Sequence, residues 1–96
     1  MENLAESSGS GILRAMGNRK RLQMLFALRN KEMSVGELEK VIDLSQSALS
    51  QHLAVLRREN IVKTRRDAQT IYYSIKSEIV INILETLDKF YNNRYG

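Results

Sequence analysis

The sequence predicts a mainly α-helical domain, four helices followed by a β-hairpin and a fifth helix, and three observations predict it. Two short helical patterns stand almost back to back around residue 44, and the second opens on an uncharged polar face. At residue 61 the apolar period changes from 3.6 to 2. From residue 78 it changes back, in a helix whose apolar arc is too broad for one buried stripe.

Composition narrows what such a domain can do. The chain has 96 residues, enough for a single domain over 1–96 with one modest core. Apolar residues make up 43% and charged residues 27%, the balance of a folded chain rather than a disordered one. There is no cysteine, which excludes disulfides, thiolate metal sites and thiol catalysis. No apolar run approaches the roughly 18 residues that span a membrane. The start, Met1-Glu2-Asn3-Leu4-Ala5-Glu6, lacks the basic and apolar regions of a signal peptide, so the cytoplasm is the expected compartment. A net charge of +4 and a pI near 9.6 favour a polyanionic partner.

In chain order, residues 2–16 admit two readings. Leu4, Ile12, Ala15 and Met16 can share a helical stripe, with Ser8 and Gly11 as small positions where another helix comes close. Ser7-Ser8-Gly9-Ser10-Gly11 instead favours a flexible tail on propensity. Asn18 then suits the N-cap of a helix over about 19–30, with Leu22, Leu25, Phe26 and Ala15 or Leu28 as its buried stripe. Arg19, Lys20 and Arg21 crowd its first turn, where cations oppose the helix dipole; they serve either phosphates or solvent. Arg29-Asn30-Lys31-Glu32 reads as a turn. Ser34-Val35-Gly36-Glu37 has the form of a capping box and opens a helix over about 34–42, with Leu38, Val41 and Ile42 on one side.

Asp43-Leu44 is a tight connection to a helix capped by Ser45 and running to about Asn60. At about 100° per residue, Leu49, Leu53 and Leu56 fall on one face, flanked by Ala48 and Val55. The opposite face carries Gln46, Ser47, Ser50 and Gln51, then Arg57 and Arg58. Hydroxyls and carboxamides donate and accept hydrogen bonds as base edges require, and arginines suit phosphates. Alternatively this is a solvated face that happens to be uncharged. Two short helices so joined form a helix-turn-helix, although the turn lacks its frequent glycine.

The runs 61–66 and 70–75 are β-branched and aromatic and predict a hairpin around Asp67-Ala68-Gln69. Its cations are either the guard of an exposed edge or the contacts of a wing, with Arg65 and Arg66 on phosphate or in the minor groove. Ser77 caps a last helix over about 78–92. Val80, Leu84, Leu87 and Tyr91 form one stripe, and Ile79, Ile83, Phe90 and Ile81 widen it, which calls for burial against a second chain. His52, the sole histidine, projects among Ala48, Leu49, Val55 and Leu56 with no acidic neighbour; a structural part suits it better than ligation or catalysis.

The order helix, helix, helix-turn-helix, hairpin, helix is that of a winged helix-turn-helix, and the wording resembles the ArsR/SmtB family of bacterial transcriptional regulators. The residues that carry the resemblance are Arg21-Leu22-Gln23-Met24-Leu25, Ser34-Val35-Gly36-Glu37-Leu38, Leu44 to Arg57, Ile61-Val62 and Ile71-Tyr72-Tyr73-Ser74-Ile75. They cover nearly all of the chain from about residue 12, and the run S-x-S-A-L-S-Q-H-L-x-x-L-R before a Y-Y strand is specific. The wording is most similar to the HlyU/BigR-like branch. The resemblance implies double-stranded DNA as ligand and a homodimer joined through its first and last helices. On the stripes above, that interface would hold Leu4, Ile12, Val80, Ile83, Leu84, Leu87 and Tyr91. It also tips residues 1–11 towards a Ser/Gly-rich first helix.

The departures from the family bear on sensing. Where some members bind metal through Cys-x-Cys, this chain has Ser34 and Gly36. Where others use the last helix, it has Ser77, Ile79, Phe90 and Asn93. None of these sets coordinates a transition metal. The redox branch's cysteine pair aligns with Phe26 and Asn92, and Ala68 replaces a common wing-tip glycine. No cofactor is expected, and no effector is identified. The sequence therefore predicts a dimeric DNA-binding regulator of transcription, acting as a repressor at an inverted-repeat operator. Gln46, Ser47, Ser50 and Gln51, with Ser45 at the helix start, are the expected reading residues. Lys63, Arg65, Arg66, Arg57 and Arg19 are expected on phosphates, with Gln69 on the wing. The rivals are an activator that displaces a nucleoid protein and a protein-interaction module on the same fold. An enzyme is not expected: no acid–base pair or phosphate-cradling loop is present.

Overall fold

The computed structural model describes residues 9–95, and the expectations for Leu4 and for the Asn93 side chain lie outside what it describes. Its elements are α1 (Ser10–Met16), α2 (Arg19–Asn30), β1 (Met33–Ser34), α3 (Val35–Glu39), α4 (Gln46–Arg58), β2 (Val62–Asp67), β3 (Thr70–Ile75) and α5 (Glu78–Tyr95). The predicted order therefore holds, with one strand added.

Capping residues fix most of the boundaries. Asn18 Oδ1 accepts from the Arg21 amide at 3.0 Å and starts α2, and Ser45 Oγ accepts from the Ala48 amide at 3.2 Å and starts α4. At α3 the capping box is complete. Ser34 Oγ accepts from the Glu37 amide at 3.1 Å, and Glu37 accepts from the Ser34 amide at 2.9 Å. That bond from the Ser34 amide is the main reason the Glu37 carboxyl titrates below its ordinary value. Ser77 Oγ likewise accepts from the Val80 amide at the start of α5.

The end of α4 is a Schellman motif. Asn60 takes the left-handed conformation, φ 59°. The Asn60 amide bonds the Arg57 carbonyl at 3.0 Å, and the Ile61 amide bonds the Leu56 carbonyl at 2.9 Å. Leu56 and Ile61, the apolar pair of that motif, are fully buried. The turn delivers the chain into β2, which pairs antiparallel with β3 across a two-residue turn, Ala68-Gln69.

Three boundaries differ from expectation. Residues Arg29 and Asn30 close α2 rather than form the following turn, because nothing before Lys31 breaks the helix. Met33 and Ser34 form β1 against β3, making a three-stranded sheet of order β1-β3-β2. And α3 ends at Glu39 rather than 42: Ile42 is buried, but Val41 turns outward and is 59% exposed.

The core is one cluster drawn from every element but β3, whose Tyr73 and Ile75 pack against it partly buried. Met24, Leu25, Leu38, Leu49, Leu53, Leu56, Ile61, Val80 and Leu84 are its fully buried members. In α2 the most buried positions are Met24, Leu25 and Leu28, with Leu22 and Phe26 packed at the margin. The Glu59 carboxylate, the far end of a flexible side chain, lies where a Cβ on Gly11 would stand. That close approach of α1 to the end of α4 answers the choice left open for the N-terminal stretch, from Ser10 onward, in favour of helix.

Candidate nucleic-acid interface

Helix α4 has two sides of opposite chemistry. Leu49, Leu53 and Leu56 are buried to within 1% and seat it on the core. Gln46, Ser47, Ser50 and Gln51 are all exposed, side by side over the first turns. Ser45 is exposed too, but its hydroxyl lone pair is committed to the Ala48 amide. The face holds no carboxylate and lies over the N-terminal turns of its helix, where backbone amides add positive potential. It can donate to and accept from flat polar edges while repelling no phosphate.

The flanking cations are arranged differently from one another. Arg57 is exposed and shares a groove of about 320 Å³ between α4 and β3 with Ser50, Ala54, Arg58 and Tyr73. On β2, Lys63 and Arg66 are exposed, and Arg66 Nε donates to the Ala68 carbonyl at 3.2 Å, which bends it towards the hairpin tip beside exposed Gln69. Arg19 is exposed at the first position of α2.

Arg65, expected on a phosphate, already has a partner. Its Nε donates to both carboxylate oxygens of Glu32 at 3.1 Å, and its guanidinium carbon lies 4.8 Å from the centre of the Tyr72 ring. The pairing register explains the reach: Arg65 stands opposite Tyr72, Tyr72 stands opposite Ser34, and Glu32 lies two residues before Ser34. The three side chains thus cross the sheet on one face. Arg65 lowers the Glu32 pKa, mainly through these hydrogen bonds, and Glu32 raises that of Arg65.

Two site residues escape a reading of the sequence. Glu32 reads only as part of a turn, and its role depends on β1, which has no sequence signal at two residues. Arg21 groups with the first-turn cations, yet it turns inward. Its Nε donates to the Ala15 carbonyl at 2.7 Å and its Nη1 to His52 Nδ1 at 3.2 Å. His52 is half-buried, and burial first, then the Arg21 charge, lowers its pKa. The spacing Asn18–Arg21 reveals the cap but not the partner 31 residues away.

The expected dimer face also divides. Ile12, Val80 and Leu84 are buried within the chain itself, so they do not carry the surplus apolar surface. That surface belongs to the next strip of α5, where Ile79, Ile83 and Leu87, with Asn82 and Thr86, line a shallow groove of about 270 Å³. Ile79 is 56% and Tyr91 57% exposed. Tyr91 and Phe90 meet edge to face.

Among the described residues no three His, Asp or Glu side chains stand close enough to hold a metal ion. No helix among them is long and apolar enough to cross a membrane. Phe26 and Asn92, at the positions of the redox branch's cysteine pair, are joined here by polar and aromatic contacts. Arg29 lies over the Phe26 ring and pairs with Asp88 at 3.4 Å, and Asn92 donates to Asp88.

Comparison with known proteins agrees with this arrangement. Residues 18–64 match the model of the arsR family of bacterial regulatory proteins. The chain is 55% identical over 84 residues to the nodulation protein NolR of Rhizobium meliloti, covering 88% of this chain and 69% of that one. It is 51% identical over 80 residues to the transcriptional activator HlyU of Vibrio cholerae, covering 83% and 74%. The solved structure of HlyU from Vibrio cholerae superposes with a TM-score of 0.83 at 49% identity, covering 88% of this chain and 91% of that one. The transcriptional repressor BigR from Xylella fastidiosa superposes with a TM-score of 0.83 at 33% identity, covering 100% and 94%.

Proposed function

Since this chain belongs to the arsR family of bacterial regulatory proteins and is a DNA-binding regulator of transcription, we propose that it works as a homodimer on an inverted repeat. Each α4 would lie in a major groove, with Gln46, Ser47, Ser50 and Gln51 on base edges. Arg57, Lys63, Arg66 and Arg19 would lie on phosphates, with Ser45 at the helix start and Gln69 on the wing nearby. One observation carries this reading: the helix seated by the fully buried Leu49, Leu53 and Leu56 presents an exposed, uncharged, hydrogen-bonding face over its first turns. A protein-binding face would offer an aromatic or aliphatic anchor at its centre instead. The α5 groove supplies the second copy's seat, and two recognition helices on a two-fold axis reach successive grooves about 34 Å apart. Such a protein acts where the chromosome is, in the bacterial cytoplasm, and binds rather than transforms its ligand.

Bound over a promoter, the dimer would exclude polymerase and repress. Activation is the second reading, favoured by the name of one relative, the transcriptional activator HlyU. Transcription from purified polymerase separates the two. Repression by occlusion lowers transcript from a bound promoter with no other protein present; displacement of a nucleoid protein changes transcript only when that protein is added.

Reading and positioning separate by mutation. Gln46→Ala or Gln51→Ala should cost binding to a selected duplex about 1–3 kcal/mol for each base edge no longer read, with little effect on random duplex. Arg57→Ala or Arg66→Ala should weaken both alike and reduce the salt slope by about one unit for each phosphate released. Equal weakening on both duplexes from the glutamine changes would overturn the assignment of the reading face.

A further inference from the structure

Three helices meet at one side chain. The Arg21 amide is held by the Asn18 cap, its Nε donates to the Ala15 carbonyl near the end of α1, and its Nη1 donates to His52 on α4. A guanidinium only donates, so the ring nitrogen it meets must accept. His52 is therefore neutral there, with its proton on Nε2. The ring directly follows Gln51 in sequence and is half-buried against the body of the domain. The leucines of α4 set which side faces the core; this hydrogen bond ties the same helix to the end of α1.

We propose that Arg21 and His52 are positioning residues for DNA reading, the neutral ring accepting from Arg21 so that α4 is held in one rotational setting against α1 and α2. The inference rests on α4 being the reading helix. Its consequence is that protonating His52 weakens reading, because the accepting lone pair is lost and two cations then stand in contact. The other charged groups of this junction do not relieve that repulsion. Arg14 from α1 and Arg58 and Glu59 from the end of α4 line the adjoining cleft with Arg21, three arginines to one carboxylate. Among the described residues, Arg21 alone is within hydrogen-bonding distance of the ring. Burial and the Arg21 charge both hold the folded-state pKa below the ordinary 6.5. The stabilisation from the neutral ring is thus complete above about pH 6.5 and is lost as pH falls through the lower folded value.

The sign of the effect makes the proposal testable. A solvated histidine beside DNA would gain affinity on protonation, since it adds a cation near phosphates. A positioning histidine loses it. The probe is a duplex enriched from a random pool by the wild-type protein at about pH 7.5, with an unselected duplex as reference, at constant salt. Between about pH 7.5 and pH 5.5 the wild-type protein should lose affinity for the enriched duplex, by less than the about tenfold that a histidine of ordinary pKa could give, and nothing for the reference. His52→Asn places an accepting oxygen where Nδ1 stands. It should keep wild-type affinity at the upper pH and show no such fall. His52→Ala should bind the enriched duplex more weakly than the wild type at the upper pH and show no further fall on acidification, with an unchanged circular dichroism spectrum. An affinity that rises on acidification, or an asparagine variant that keeps the wild-type profile, overturns the proposal. If no duplex is enriched, the reading role of α4 fails, and the linkage is tested without DNA. His52 is the chain's one histidine, so its nitrogen resonances are unambiguous. They should report the Nε2–H tautomer and a pKa that rises in Arg21→Ala; the Nδ1–H tautomer, or a pKa indifferent to that change, overturns it.

Discussion

Arg65 brings to the sheet surface a charge already matched by Glu32, and this changes what the residue can do for DNA. To reach a phosphate it must leave a two-pronged carboxylate partner and the Tyr72 face, so the phosphate gains only the difference between two similar interactions. Glu32→Gln should therefore increase affinity for unselected duplex and steepen its salt dependence by up to about one unit. In an Arg65→Ala background the same change should do little. A fall in affinity on Glu32→Gln would show instead that the pair holds the wing in place. Both Glu32 and Glu37 titrate below the ordinary 4.5. A depressed carboxylate stabilises the fold above its unfolded value and ceases to as pH falls through the folded one. Urea denaturation should accordingly show stability lost below about pH 4.5, and less steeply in Glu37→Gln, which keeps an accepting oxygen but does not titrate.

The hairpin carries its strain in its turn. Ala68 sits at φ 58°, where an alanine suffers the Cβ clash that glycine escapes. Ala68→Gly should raise stability by about 1 kcal/mol in urea melts, with the pairing of Asp67 and Thr70 unchanged; a decrease would mean that unfolded-state entropy outweighs the relieved clash. Asn60 occupies the same region without needing replacement, since asparagine tolerates it and the Schellman bonds require it. How far each element can be read from sequence follows its physics. Asn18, Ser34, Ser45 and Ser77 act through bonds spanning three residues, so local spacing announces the helix starts. The hairpin likewise announces itself by its period. Strand β1 does not: at two residues it has no period, and it exists because β3 offers an edge. The outward turn of Val41 is hidden for a related reason, since 34–42 has a helical pattern but α3 stops after five residues. Within the candidate site, the exposed polar face is legible because polarity and period coincide on α4. The Glu32–Arg65 and Arg21–His52 pairs join residues more than thirty apart, and no local pattern encodes them.

At the scale of the whole molecule, two adjacent strips of α5 would, on the proposed dimer, divide the work of folding and assembly. Val80 and Leu84 are fully buried in the chain's own core, whereas Ile79, Ile83 and Leu87 line the open groove. A short way round the helix, the same kind of side chain thus passes from the core to an open surface. Substitution separates them. Leu84→Glu would bury a carboxylate with no cation beside it, at a cost of several kcal/mol against the roughly 5–15 kcal/mol that holds a small domain folded. It should abolish the cooperative melt. Ile79→Glu or Leu87→Glu places its charge in the groove rather than in the buried cluster, and the circular dichroism of the monomer should survive. Light scattering at micromolar concentration should then give twice the 11.0 kDa chain mass for the wild type and the single chain mass for the groove variants. The groove variants should also lose the enriched duplex far more than unselected DNA, because only a two-fold pair of α4 helices reads both halves of an inverted repeat. A wild type that scatters as a monomer, or a folded Ile79→Glu that still scatters as a dimer, would remove the second copy from this face of α5.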